Sequence, residues 1–377
     1  MAITQFVDHG MTSSVASSPR PLGVTIAVCC HNSATRLPTT LGYLLGQRVP
    51  PQVKWEVLVI DNGSTDATGQ VARGCWPTDA PTRLRVVREE TLGLSRARRR
   101  GFLEARHEIV CFVDDDNWVS PAWVEIVSTV MGAHPDVAVC GGDSVAVFEE
   151  PEPPWFRRYA RSFGVGPQGA AGGYHEGSLW GAGLTIRKSA WRQLSEAGFE
   201  QLLTDRQGGK LTSGGDTELC AALTRLGWKQ WYEPALRLQH FIPASRARWE
   251  HLRRLHRGFG AASVPLRAYC GDAADTWRGR LGNSWFWYVQ ASCRRILRYR
   301  RKLWRAMQSP MESDPDVIEL EHAFGTLGEL RRSYGQWTTN RRRVQLVEQR
   351  VRQQHQRPGA HSASNLHLPN SQPSECV

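Results

Sequence analysis

Several familiar signatures are missing from this 377-residue chain, and each absence removes a class of explanation. Its nine cysteines contain no CxxC pair. An odd, unpatterned set argues against a disulfide framework or a zinc ribbon. Cys29, Cys111 and Cys140 stand inside apolar runs, where reduced and inert core thiols are expected. Long hydrophobic runs are also lacking near the start. The stretch Val24–Cys30 falls far short of the roughly 20 residues that cross a bilayer. Residues 1–20 show no basic-then-apolar signal pattern and read as a Ser-rich, disordered lead-in, so a cytoplasmic location is expected. No internal repeat is found. Acids are scarce in one region: between Arg246 and Arg305 there are 15 Arg/Lys and 3 acids (Glu250, Asp272, Asp275). The net charge of +11 therefore belongs to that region and not to the whole chain. Composition is otherwise that of a soluble globular protein, long enough for one large domain with appendages or for two domains.

What is present, in the first half, is alternation. VTIAVCC (24–30), WEVLVID (55–61), LRVVRE (84–89), EIVCFVD (108–114) and VAVCGGD (137–143) are short apolar, β-branched runs that predict buried strands. Between them, PTTLGYLLGQ (38–47), a stretch from near Asp66, LSRARRRGFLEA (94–105) and a stretch from Pro121 carry helical spacing. Strand–helix alternation predicts an α/β fold with a mostly parallel sheet covered on both faces, whose ligands sit beyond the carboxyl ends of the strands. Asp61, Glu89 and Asp114 all occupy such ends. Further on, 149–177 is rich in Pro and Gly and predicts a long mobile loop. LWGAGLTIRKSAW (179–191) predicts a strand feeding a helix, DTELCAALTRLGW (216–228) a helix stopped near Gly227, and a strand is expected before His240. Four regions result: 1–20 disordered, 21–245 the sheet domain, 246–352 a basic helical extension, and 353–377 a polar, disordered tail.

The run FVDDDNWVSP (112–121) poses the sharpest question. Three adjacent carboxylates repel one another, and a strand end gains nothing from them unless they hold a cation. On an extended or tightly turned backbone, residues i and i+2 project to one side, so Asp114 and Asp116 can converge while Asp115 points elsewhere. Hard oxygen ligands of this kind suit Mg²⁺ or Mn²⁺. The plainer alternative is that Asp116 or Asn117 caps the helix that follows.

The ordered set VTIAVCCHNSATRLPTTLGYLLGQ, EVLVIDNGSTDAT and REETLGLSRARRRGFLEARHEIVCFVDDDNWVSP strongly resembles the family 2 glycosyltransferases with the GT-A (Rossmann-like) nucleotide-sugar transferase fold. The likeness runs in order from about Val24 to His240. It implies an inverting transferase that moves a sugar from a nucleotide-sugar donor to an acceptor hydroxyl, as in polysaccharide biosynthesis, on a glycan or a lipid-linked acceptor. By the same resemblance Asp61 contacts the nucleobase or ribose, with Asn32 beside the same crevice. Arg98 reaches the nucleotide or its phosphates, Asp114 meets the ribose and metal shell, and Asp116 ligates a divalent cation, Mn²⁺ or Mg²⁺, that bridges the diphosphate. Trp180, Gly181 and Gly183 match the small-residue segment beside acceptor and donor sugar. GGDTELC matches the catalytic-base segment: Asp216 holds the base position and Glu218 the later acid, while Gly215 replaces the usual glutamate and removes a repulsion that would raise the base's pKa. His240 matches a position that supplies a third metal ligand in related enzymes. Ordinary alternatives stand beside these roles: a turn at Asp61-Asn62-Gly63, a solvated Arg98, a cap at Asp216 and a structural His240.

Two rival functions are weighed. A sugar nucleotidyltransferase opens with a Gly-rich loop for a triphosphate, whereas VCCHNSATRLP has no glycine. Arginines interleaved with Trp and Tyr over 277–307 resemble a nucleic-acid surface, but no RNP, zinc or helix-turn-helix signature accompanies them. Covering the sheet, or peripheral contact with an anionic membrane, explains that stretch without nucleic acid. An inactive scaffold is disfavoured because both Asp116 and Asp216 are retained.

Overall fold

The computed structural model describes residues 21–203, 213–270, 284–308 and 312–355. The expectations for 1–20 and for most of the tail lie outside the described residues. The predicted strands are β1 (Val24–Cys30), β2 (Trp55–Asn62), β3 (Leu84–Glu89), β4 (Ile109–Asp114) and β6 (Val137–Phe148), joined by short β5 (Asn117–Val119), β7 (Gly173–His175) and β8 (Thr185–Arg187) and by the long β9 (Lys229–Ile242). Among the described residues they form one sheet in the order β3-β2-β1-β4-β8-β6-β9-β5, with β7 on β9. Pairs β1–β2, β2–β3, β1–β4 and β6–β9 are parallel. The pairs made by β8, β5 and β7 are antiparallel.

Both faces are covered, as the continuous apolar strands require. Along β1, Val24, Ile26 and Val28 join Leu37, Leu41 and Leu44 of α1 (Leu37–Leu45) and Trp123 and Val127 of α4 (Trp123–Ala133) in one core. Ala27 and Cys29 point the other way, into a core with Ala97 and Phe102 of α3 (Leu94–Glu104), Trp191 of α6 (Lys188–Glu196) and Leu219 and Leu223 of α7 (Gly215–Arg225). The period-2 alternation of a strand thus splits one apolar run between two layers. Short α2 (Thr68–Gly74) follows β2. Among the described residues, seven cysteines are free thiols and five of them are buried. Cys270, by contrast, is disulfide-bonded, the exception to the expectation of reduced thiols.

The Pro/Gly segment 149–177 is not the mobile loop its composition predicts. Trp155, Phe156 and Phe163 are buried in a third core with Trp249 and Ile242, around a short helix α5 (Phe156–Tyr159). Gln168 is buried as well and clips the segment to Gly142 O (2.8 Å) and Trp180 N (2.8 Å). Aromatic anchors outweigh the backbone freedom that Pro and Gly confer.

Beyond β9 the chain forms α8 (Trp249–Leu266), α9 (Trp285–Gln308), α10 (Pro315–Arg332) and α11 (Trp337–His355). Helices α8 and α10 cross at two glycines: a Cβ on Gly260 would overlap the His322 carbonyl, and one on Gly325 the Arg257 carbonyl. Gly325→Ala should therefore destabilise the fold by about 1–3 kcal/mol through overpacking, despite alanine's better helix propensity. Gly328, in the same helix with nothing within 4 Å of a Cβ, should instead gain about 0.5–1 kcal/mol on substitution by alanine. Chemical denaturation of the two variants reads opposite signs if the crossing is as described.

Candidate active site

Parallel registration places the candidate residues at one rim. Cys30 pairs with Asp61, Cys29 with Asp114, and Asn62 with Glu89, so the carboxyl ends of β1, β2, β3 and β4 open on the same side. A cavity of about 820 Å³ lies there, lined by Arg98, Asp114, Asp116, Trp180, Gly181, Asp216 and His240 among others. A smaller cavity of about 210 Å³, beneath α11, collects none of the candidate residues.

The three aspartates lie in the turn between β4 and β5, and neither Asp116 nor Asn117 caps α4, whose N-terminus has no side-chain cap. The charges of Asp115 and Asp116 are answered from distant parts of the chain. Arg36, just before α1, donates to Asp115 Oδ2 from Nη2 (2.7 Å) and Nε (3.1 Å). Arg246, just after β9, donates to Asp116 Oδ2 (2.7 Å), while Asn117 Nδ2 donates to Oδ1 (3.0 Å). Because β5 and β9 pair antiparallel with Asn117 opposite His240, the imidazole also reaches Asp116: Nε2 to Oδ1 is 3.7 Å. Asp116 is itself almost fully buried. Arg246 is the residue that sequence reasoning missed. In sequence it stands at the start of the basic stretch, and the β5–β9 register brings it back to the rim.

The catalytic-base candidate lines the same cavity. Asp216 is in the first turn of α7, where Gly214, at φ +121°, takes the N-cap position. Asp216 Oδ1 accepts from Thr217 N (2.8 Å). Its Oδ2 faces Gly181: a Cβ built there would be 3.1 Å from that oxygen and 2.6 Å from Arg98 Nη2. Arg98, buried on α3, lies near the Phe112 ring (6.0 Å). Glycine at 181 is therefore what lets a carboxylate and a guanidinium close on the same backbone point. Gly183, at φ +71°, does not line the cavity. It turns the chain where a Cβ would strike Trp123 and Leu238, at 2.7 and 2.8 Å. Trp180 does line it, with Arg161 over its ring at 5.3 Å.

Besides Gly183, three predicted site residues stand back from the cavity. Asn32, at φ +50°, ties the β1 loop to the β2 loop by accepting from Thr65 N (2.8 Å) at Oδ1. Asp61 is buried behind Asn62, accepting from Ser64 N (3.2 Å) and from half-exposed Arg88 (3.3 Å). Glu218 departs furthest from its predicted acceptor-side position. It is fully buried and accepts from Leu202 N (2.7 Å), Leu203 N (2.9 Å) and Tyr269 Oη (2.7 Å). Burial, together with the Glu218 charge, pushes the Tyr269 phenol far above its usual range, so it remains a donor. Burial likewise pushes the Cys29 thiol up to about 12, against the pull of Arg98, so this thiol at the cavity wall stays protonated and is no nucleophile.

Whether a divalent cation suits the rim can be judged from its donors. Among the described residues, no three His, Cys, Asp or Glu side chains are gathered so as to hold a metal ion unaided. A carboxylate facing an imidazole at 3.7 Å nonetheless fits an ion that completes its shell with phosphate oxygens, the usual arrangement for Mg²⁺ and Mn²⁺.

Comparison with known proteins agrees with this architecture. Residues 25–188 match the family described as Glycosyl transferase family 2. EpsH of Bacillus subtilis (strain 168), itself assigned as a glycosyltransferase only provisionally, is 29% identical over 127 residues, 34% of this chain and 35% of that protein. Glycosyltransferase AglE of Haloferax volcanii is 31% identical over 115 residues, 30% of this chain and 37% of that protein. The chain thus spans little more than a third of these relatives' length. Among solved structures, mannosyltransferase PcManGT from Pyrobaculum calidifontis, in complex with GDP-Man and Mn²⁺, superposes with a TM-score of 0.52 at 18% identity, over 88% of this chain and 87% of that one. The likeness establishes a GT-A fold, mostly parallel with helices on both faces, as the sequence predicts.

The Glu218 strut generates a direct expectation. Glu218→Ala leaves two buried backbone amides and a phenol without an acceptor and should cost about 3 kcal/mol or more. Urea denaturation checks this, and a loss below about 0.5 kcal/mol would place Glu218 outside the framework.

Proposed function

We propose that the chain, whose residues 25–188 are a family 2 glycosyltransferase segment, transfers a sugar from a nucleotide-sugar donor to an acceptor hydroxyl with inversion at the anomeric carbon. One observation carries the reading. Asp216 Oδ2 and Arg98 Nη2 close on Gly181 within the same cavity that receives Asp114, Asp116 and His240. A proton acceptor and a set of phosphate-directed groups therefore share one cavity.

Asp216 takes the proton of the acceptor hydroxyl. The oxygen so activated forms its bond to the anomeric carbon as the bond from that carbon to the diphosphate oxygen breaks. General-base assistance of this kind contributes about 10²–10⁴ in rate. Arg98, buried and close to the reacting point, neutralises charge growing on the departing diphosphate. Asp116 and His240 would hold the divalent cation, Mn²⁺ or Mg²⁺, with Asp114 beside them. When bound, the cation supplies Lewis-acid neutralisation of the diphosphate. Arg246 already occupies the outer oxygen of Asp116 and keeps that carboxylate compensated between turnovers. The nucleoside is assigned to the β2 rim, where Asn62 lines the cavity and Asp61 lies behind it with Arg88. Trp180 and Gly181 border the sugar. The acceptor is a glycan or a lipid-linked saccharide.

The nucleotidyltransferase reading gains no support, because the β1 loop is shaped by Asn32, Ser33 and Ser64 contacts and offers no glycine-rich phosphate cradle.

Screening UDP-, GDP- and dTDP-sugars with Mn²⁺ or Mg²⁺ tests the proposal. One donor should be consumed only with a divalent ion, and Asp216→Asn should lower kcat by about 10³-fold with KM for the donor little changed. Asp116→Asn should instead weaken donor and metal binding together. Full activity in Asp216→Asn would remove the proposed base.

A further inference from the structure

Helix α9 presents a face that is exposed among the described residues. Its inner side is tied to the molecule: Trp285 Nε1 donates to Leu330 O (3.0 Å), Tyr288 packs on Trp337 (6.0 Å) and receives the Arg267 guanidinium over its ring (4.4 Å), and Ser292 is buried. The outer side is apolar and exposed. Phe286 is 69% exposed and Leu297 59%, and Cys293 is also exposed. At 100° per residue, positions 286, 293 and 297 fall within a single narrow stripe. Trp287, Arg294 and Arg298 border it, all exposed, with Arg294 over the Trp287 ring at 5.9 Å. Arg295 is engaged by Glu319. Over its 24 residues the helix carries seven Arg/Lys and no acid. No helix among the described residues is long and apolar enough to span a membrane.

We propose that α9 is an interfacial helix that seats the chain on an anionic lipid bilayer, with Phe286 and Leu297 entering the headgroup–acyl boundary and Arg294 and Arg298 meeting lipid phosphates. An apolar stripe bordered by arginines on a helix too polar to cross is the pattern of an in-plane membrane helix. A second copy of this chain is the poorer partner, since two acid-free faces on a chain of net charge +11 repel. Nucleic acid would engage the arginines but gives Leu297 and Cys293 nothing to bury against. Tyr288, on the inner side of the same helix, lines the main cavity, so docking holds that cavity within about 10 Å of the lipid surface, one helix diameter.

Binding to vesicles needs no turnover, and the proposal stands or falls separately from the transfer reaction. The test is co-sedimentation of the full chain with phosphatidylcholine vesicles, alone or with about one part in three phosphatidylglycerol. Binding should require the anionic lipid and weaken with salt. Phe286→Ser with Leu297→Ser should reduce binding about 30-fold, and Arg294→Gln with Arg298→Gln about tenfold. The unfolding midpoint should be unchanged in both, because the stripe is exposed. Equal binding to neutral vesicles, binding unaltered by either double variant, a stronger shift of an RNA duplex than of vesicles, or a dimer abolished by the Phe286/Leu297 variant would each overturn it.

Discussion

Three consecutive carboxylates at the end of a buried strand impose the constraint around which the rest of the molecule is arranged. At separations of a few ångströms and away from bulk water, unbalanced like charges cost several kcal/mol. The fold answers two of them from elements far apart in sequence: Arg36 before α1 pairs with Asp115, and Arg246 after β9 pairs with Asp116. Each pairing also does structural work. The first pins the start of α1 to the β4–β5 turn, with Thr40 Oγ1 bonded to Asp115 O (2.8 Å). The second brings the chain leaving β9 back over the rim before α8 begins. A site that holds a charged ligand is thus also a site where several elements converge.

Burial gives the two halves of the site different characters. At the rim, Asp116 accepts from Arg246 and Asn117 and faces His240, a set suited to a cation and its anionic ligand. Elsewhere in the cavity lining, Asp216 keeps one oxygen on its own helix's N-terminal amide and turns the other to Gly181. Glu218, two residues on, looks similar in sequence but serves as an internal strut for Leu202, Leu203 and Tyr269. Two acids in one helical turn thus divide into one that lines the cavity and one that holds its frame.

Much of this was legible beforehand, for a definable reason. Strands β1 to β4 read within a residue of their ends because β-branched runs stop at polar residues, and parallel alternation fixes which ends open together. Arg98, Asp114, Asp116, Asp216 and His240, which line one cavity, are each singled out by the ordered resemblance in the sequence. Other features carry no local signal. β5 has three residues, too few for alternation to show. Arg246 lies 130 residues from Asp116 and meets it only through the antiparallel β5–β9 pairing. Composition misled at 149–177, where irregularly spaced Trp155, Phe156 and Phe163 fix a segment that Pro and Gly alone would leave loose. The division at 245 is also less sharp in space than in charge, since His251, Leu255 and Phe259 of α8 line the same cavity as the rim aspartates.

The central claim is that the acidic rim and Asp216 serve one bound diphosphate from two sides. A crystal structure with Mn²⁺ and a nucleoside diphosphate, using the anomalous signal of manganese, tests it most directly. The account predicts a manganese peak between Asp116 and His240, with the diphosphate and its sugar inside the cavity that Arg98 and Asp216 both line. A nucleotide bound elsewhere, or manganese bound with Asp116 still closed on Arg246 and His240 turned away, would contradict it.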